Sequence, residues 1–287
     1  MRPAAQNAVS LDDLDRAGWW SVRGERVHVT DLDQVLLPGP PPLTKRDVIR
    51  YYAEVAPYLL SYLEGRAVTV DRYPGGVAET GFRPDGGLGT VPALVGMANL
   101  AGIELHALPA RLTSTREPTW ALVDIVPGET TTAADVVELA RVFHTALTHL
   151  GVTAMPNVTG TGSVRIWIPV RAGYTFDDTR VWAGKLSRIV GRVRPDLVSG
   201  RWYHRTGRRR RAWLDYTRNA IDKTLLAPFS IRPMPHAPVS VPIEWSELDD
   251  PDLRPDRWTV HTVLDRLRRL GDPLAPLIGR QQALPAL

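Results

Sequence analysis

The stretch Trp120-Ala121-Leu122-Val123-Asp124-Ile125-Val126-Pro127-Gly128 decides how this chain is read. It is an apolar run of strand length, broken by one carboxylate and stopped by a Pro-Gly turn. A run that is apolar at successive positions belongs to a strand covered on both faces, and Pro-Gly is a turn signal. Asp124 is the anomaly, because an ionised carboxylate inside such a strand is costly unless it is paired or metal-bound. Positions 124 and 126 share one face while 125 points away. Two carboxylates at that spacing would converge on one point, where they bridge hard divalent cations. The residue at 126 is valine.

Outward from this strand, helical and strand patterns alternate. Thr132 to Leu150 places Val136, Leu139, Ala140, Phe143, Leu147 and Leu150 on one stripe and stops at Gly151, which predicts a helix. Val164 to Val170 reads as a strand and Phe176 to Val193 as a helix. Upstream, Thr44 to Tyr62 is an amphipathic helix opened by a Thr44/Asp47 capping box, and Ala67 to Val70 is a short strand. Pro92 to Leu105 reads as a mostly buried helix. Downstream, Arg211 to Tyr216 is a strand carrying a second acidic oddity, Asp215, whose structural alternative is a salt bridge to a neighbouring arginine. Ala227 to Pro242 is proline-rich and extended, and His261 to Leu270 is a last helix ended by Gly271. The alternation predicts an α/β, mixed α+β, fold class: a central mixed β-sheet flanked by helices.

The 287 residues, 44% hydrophobic and 23% charged, suffice for one large domain or two packed lobes. The chain has no cysteine, which excludes disulfides, thiolate metal sites and a cysteine nucleophile. Met1 to Asp12 holds no apolar segment of secretory length, and Val91 to Leu105 is too short and too interrupted to span a bilayer. A cytoplasmic, nucleoid-associated protein is the expectation. The formal charge is +4 and the pI about 9.6. Arg201, Arg205, Arg208, Arg209, Arg210 and Arg211 lie among Trp202, Tyr203, His204 and Trp213. Guanidinium groups fork onto phosphate and aromatic faces stack on bases, so this segment reads as a DNA contact. Its alternative is a solvated hairpin tip.

Three stretches in one order carry a resemblance. They are Met97 to His106 (MANLAGIELH), Val123 to Gly128 (VDIVPG) and Leu214 to Asn219 (LDYTRN). Asp31 to Pro38, Tyr51-Tyr52, Lys223-Thr224, Ala227 to Arg232 and Ala237 to Ser240 continue it. Together they resemble the polymerase domain of bacterial DNA ligase D, in the archaeo-eukaryotic primase superfamily. The similarity runs over residues 25–275, as a single primase-polymerase domain of two packed lobes, the smaller one N-terminal. Residues 1–24 would be an extension and 276–287 a tail. With no ligase or phosphoesterase region, the expectation is a stand-alone domain.

The resemblance implies a template-directed nucleotidyltransferase of end joining that uses Mg²⁺ or Mn²⁺. DNA ends and NTP or dNTP would be its ligands, and a Ku-type end-binding protein and a separate DNA ligase its partners. It places Asp124 and Asp215 on the metals and in catalysis, and His106, Thr159, Arg165, Arg218 and Arg232 on the nucleotide. Lys45, Phe82 and Arg208 to Arg211 would contact DNA. The departures are as informative. Val126 stands for the third metal carboxylate. The nucleotide loop, Thr159-Gly160-Thr161-Gly162-Ser163-Val164-Arg165, has lost a lysine at Gly162 and a histidine at Arg165. Gln34 replaces a lysine associated with the DNA 5′-phosphate, whose companion is Lys45, and Gly81 replaces one of two stacking phenylalanines. These losses imply a weakened metal site and transfer that is reduced or lost, or else an inactive module that binds DNA ends or nucleotides.

Overall fold

The computed structural model describes residues 10–77, 85, 86, 88–199 and 210–287. The chain opens with a hairpin, β1 (Gly18–Val22) and β2 (Glu25–Val29), and a short pair, β3 (Val35–Leu37) and β4 (Leu43–Thr44). Helix α1 (Lys45–Leu63) follows, then β5 (Val68–Arg72), β6 (Asp85–Gly86), α2 (Val91–Asn99) and β7 (Gly102–Ala107). A second short pair, β8 (Ala110–Arg111) and β9 (Ser114–Pro118), leads into β10 (Trp120–Val126). The rest comprises α3 (Ala133–His149), β11 (Met155–Val158), β12 (Val164–Pro169), α4 (Phe176–Val193), β13 (Trp213–Asp215), β14 (Leu225–Leu226), β15 (Val241–Pro242) and α5 (Val263–Leu270). The fold class is the expected mixture of helix and sheet.

Two sheets organise these elements. One is five-stranded in the order β13-β10-β12-β11-β15, and the other four-stranded in the order β14-β7-β5-β6. The named strands pair antiparallel throughout, and the parallel contact is an isolated bridge between Val198 and Ala212. Strand β10 lies inside the first sheet with six of its seven residues buried, and α3 and α4 pack against it. This is the doubly covered strand that its continuous apolar run demands. Thr44, Thr132 and Thr175 cap α1, α3 and α4, each in a reciprocal box with an aspartate at N3.

The reading of Pro92 to Leu105 as one helix is corrected. Helix α2 stops at Asn99, Ala101 adopts φ +59°, and Gly102 starts a strand. A Cβ on Gly102 would lie 2.1 Å from Met97 Sδ, so only glycine lets the chain fold back onto the helix there. Periodicity fails in this segment because a strand buried on both faces is as uniformly apolar as a buried helix.

The sheet edges are finished by side chains. Strand β13 runs beside β10 only from Asp124 to Val126. Beyond it, the buried Asn219 side chain accepts from Leu122 N at 2.9 Å and donates to Leu122 O at 2.8 Å, replacing the missing ladder. On the other sheet, Ala227 N donates to Leu105 O at 2.9 Å and Leu105 N to Ser230 Oγ at 2.8 Å. Tyr51 donates to Phe229 O at 2.8 Å and Tyr52 to Ile103 O, tying α1 to the same segment. Burial, with the neighbouring Tyr52, holds the Tyr51 phenol well above its usual range. Replacing Asn219 by alanine orphans both Leu122 groups, so Asn219→Ala should lower unfolding free energy by about 2–4 kcal/mol in denaturant titrations. A loss below about 1 kcal/mol would show that the side chain does not complete the sheet.

Candidate functional site

The antiparallel registers set Asp215, Asp124, Arg165 and Asn157 in one row across β13, β10, β12 and β11. Two carboxylates directly opposite each other repel. The third member of the row relieves this. Arg165 Nε donates to Asp124 Oδ1 at 2.6 Å and Nη2 donates to Oδ2 at 2.9 Å, a bidentate pair between two buried side chains. Burial would lower the Arg165 pKa, but Asp124, through charge and hydrogen bonds, and then Asp215 outweigh it and raise it. The salt bridge considered for Asp215 therefore belongs to Asp124. Asp215 Oδ1 accepts instead from Thr217 N at 2.8 Å and Thr217 Oγ1 at 2.6 Å.

Arg165 also links the sheets, because Nη1 donates to Leu226 O at 3.3 Å and Leu226 is paired with His106. His106 lies on β7, not at a helix end. Its Nε2 is 3.5 Å from Asp71 Oδ2 and 3.9 Å from Glu104 Oε1. Glu104 in turn holds Arg232 Nη1 at 2.5 Å. The donor atoms of Asp71, Glu104 and His106 lie within 4.8 Å of one another, a set able to hold a metal ion. Sequence reading missed Asp71 and Glu104. The signal was the Glu-x-His alternation of a strand, hidden by the helical assignment.

The loop joining β11 to β12 closes the space between these groups. Thr159 N and Oγ1 both donate to Ser163 O at 3.0 Å, and Gly160 adopts φ +77°. A Cβ on Gly160 would approach Arg232 Cγ to 2.8 Å, so the loop lies directly on the arginine stem. Thr159, Arg165, His106 and Arg232 are thus brought together with Asp124. Arg218 is exposed, and among the described residues it has no acidic partner.

The remaining expected residues lie elsewhere. Lys45 is buried at the start of α1, 3.6 Å from Asp31 Oδ2. It lines a cavity of about 610 Å³ with Arg16, Asp31, Gln34, Arg72 and Asn99. Arg211 lines a second cavity of about 450 Å³ with Arg188 and Arg192, while Arg210 O accepts from Thr130 N and Oγ1 at 2.8 and 2.6 Å. Phe82, Arg208 and Arg209 fall outside the described residues. Among the described residues, no helix is long and apolar enough to cross a membrane.

A family model described as "LigD, primase-polymerase domain" matches residues 44–84 and 87–274. The chain belongs to this family. It is 30% identical over 290 residues to the multifunctional non-homologous end joining protein LigD of Mycolicibacterium smegmatis, covering 92% of this chain and 38% of that protein. It is 27% identical to the bifunctional LigD of Bacillus subtilis, covering 91% of this chain and 45% of that one. The chain thus spans less than half the length of these relatives. Among solved structures, the polymerase domain of Mycobacterium tuberculosis ligase D in complex with DNA matches with a TM-score of 0.80 and 27% identity. That match covers 90% of this chain and 99% of the other.

Primase-polymerase domains generally use divalent metals. The donors at the Asp124 end do not fit such an ion. Both Asp124 oxygens face a guanidinium, Val126 offers no donor, and one Asp215 oxygen is held by Thr217. Removing one partner of a buried ion pair leaves an uncompensated charge, at a cost of about 3–5 kcal/mol. Arg165→Ala should therefore destabilise the fold by that amount in chemical denaturation, and Asp124→Leu with Arg165→Met should recover most of it. Equal losses in the single and double variants would contradict the pairing.

Proposed function

We propose that this chain is a DNA-repair domain of the polymerase/primase type, acting on DNA ends in non-homologous end joining and binding nucleotide beside Asp124. The row Asp215–Asp124–Arg165, closed by the Thr159 loop and flanked by Arg232 and His106, is the observation that carries this reading. Arg232 and Arg218 supply guanidinium groups for the triphosphate, and the Thr159 hydroxyl adds a polar contact from the loop. The Lys45 cavity, with Arg16 and Arg72 added to it, is suited to a DNA 5′-phosphate.

Nucleotidyl transfer by two metals depends on carboxylates that hold both ions against developing charge. With Val126 and a paired Asp124, we place transfer several orders of magnitude below that of a complete site, each factor of ten being about 1.4 kcal/mol of barrier. The Asp124–Arg165 pair favours a second reading, a module that binds ends or nucleotides without turnover. Primer extension with Mn²⁺ and ribonucleotides separates the two. Slow, template-dependent product abolished by Asp124→Ala supports the polymerase. No product, with end binding retained, supports the module, and a protein that binds neither DNA ends nor nucleotide would overturn both.

Two binding measurements probe the DNA surfaces. Lys45→Ala should remove the preference for a 5′-phosphorylated end over a hydroxyl end, and an unchanged preference would exclude the Lys45 cavity. Each phosphate contact adds about 0.9 to the log–log salt slope on duplex DNA. Replacing Arg208 to Arg211 by serine should lower that slope by at least one such step, and no change would exclude the cluster.

A further inference from the structure

We propose that Arg165 is a built-in cation: its guanidinium takes the place on Asp124 that a divalent metal would take, and phosphate is bound beside this carboxylate with no metal ion on it. The proposal rests on the phosphate-binding reading above. It begins from register, since Asp124 and Arg165 are direct partners on adjacent strands and their pairing is fixed by the backbone ladder. Arg165 is anchored on several sides. Its fork is bidentate on Asp124, its Nη1 donates to Leu226 O, and its guanidinium lies 5.6 Å from the Trp167 ring centroid. A side chain so held does not move aside as a surface arginine would.

The coordination chemistry points the same way. Mg²⁺ takes oxygen ligands near 2.0–2.1 Å in octahedral array, usually one or two carboxylates together with water and substrate phosphates. Among the described residues of the row, Asp215 is the carboxylate not forked by a guanidinium, and Thr217 takes one of its oxygens. An ion approaching Asp124 would also meet a fixed positive charge across the shared carboxylate, a repulsion that low dielectric magnifies. Two bare carboxylates side by side would repel an incoming triphosphate or DNA phosphate. With Arg165 in place one of the two is already neutralised, which is the electrostatic work otherwise done by a metal. A side chain without a guanidinium fork at this position could not engage both oxygens of Asp124 at once. Val126 and Arg165 then act together, one offering no metal ligand on this face and the other supplying positive charge to Asp124.

The Asp71–Glu104–His106 set lies on the other sheet, so the test must count ions site by site. Mn²⁺ titration of the full chain, read by electron paramagnetic resonance without nucleotide or DNA, does so. Wild type, Asp124→Asn and Asp215→Asn should bind the same number of Mn²⁺ ions with dissociation constants within about twofold. Loss of an ion in either variant overturns the proposal, and the second variant guards against misfolding in the first. In EDTA, wild type should bind a fluorescent ATP analogue within about twofold of its affinity in Mn²⁺, and a tenfold or greater loss also overturns it. Failure to bind nucleotide or DNA under any condition would instead sink the phosphate-binding reading, while the Mn²⁺ count still judges Arg165.

Discussion

A carboxylate buried in the middle of a sheet must be compensated, and in this protein the compensation is another side chain of the same sheet. The bidentate contact between Asp124 and Arg165 is the constraint from which the rest of the site follows. It requires β10 and β12 to be neighbours in one register, and that register also brings Asp215 and Asn157 into the row. Such a pair does not by itself make a fold more stable than apolar residues of similar volume would. Either partner alone is expensive, so a slipped register would leave a buried charge uncompensated.

From this row the second sheet is reached in one hydrogen bond, through Leu226 O, and His106, Glu104 and Arg232 follow. The segment that ends in Arg232 is held by Leu105, Tyr51 and Tyr52, all of them buried. A residue positioned through so many buried hydrogen bonds loses little further freedom when a ligand arrives, and on the proposed nucleotide reading this favours binding at Arg232. The loop from Thr159 to Ser163 completes the enclosure because Gly160 alone can pass so close to the arginine stem.

Much of this is legible in the amino-acid sequence. The doubly apolar strand, the helices α1, α3 and α4 with the Thr44 capping box, and the acid at 124 all come from local chemistry, and the order of short motifs points to the family. What escapes linear reading is relational. A helix and a strand of equal apolarity are indistinguishable between Pro92 and Leu105, so the convergence of Asp71 and Glu104 on His106 is hidden. Likewise Arg165 reads as a lost histidine beside a nucleotide, because nothing in linear order shows that it lies directly across the ladder from Asp124. Asn219 belongs to a recognisable motif, yet its work as a substitute for a missing strand needs the edge of β10 to be seen.

On the proposal made above, Val126 and Arg165 mark a site in which a side-chain cation takes the place of a bound one. That exchange is decided by diffraction from crystals soaked in Mn²⁺ and nucleotide, using the anomalous signal of manganese. The expected result is a guanidinium still forked on Asp124, with no manganese peak within about 2.5 Å of its oxygens. A manganese peak bridging Asp124 and Asp215, with Arg165 swung out of the row, would contradict the account.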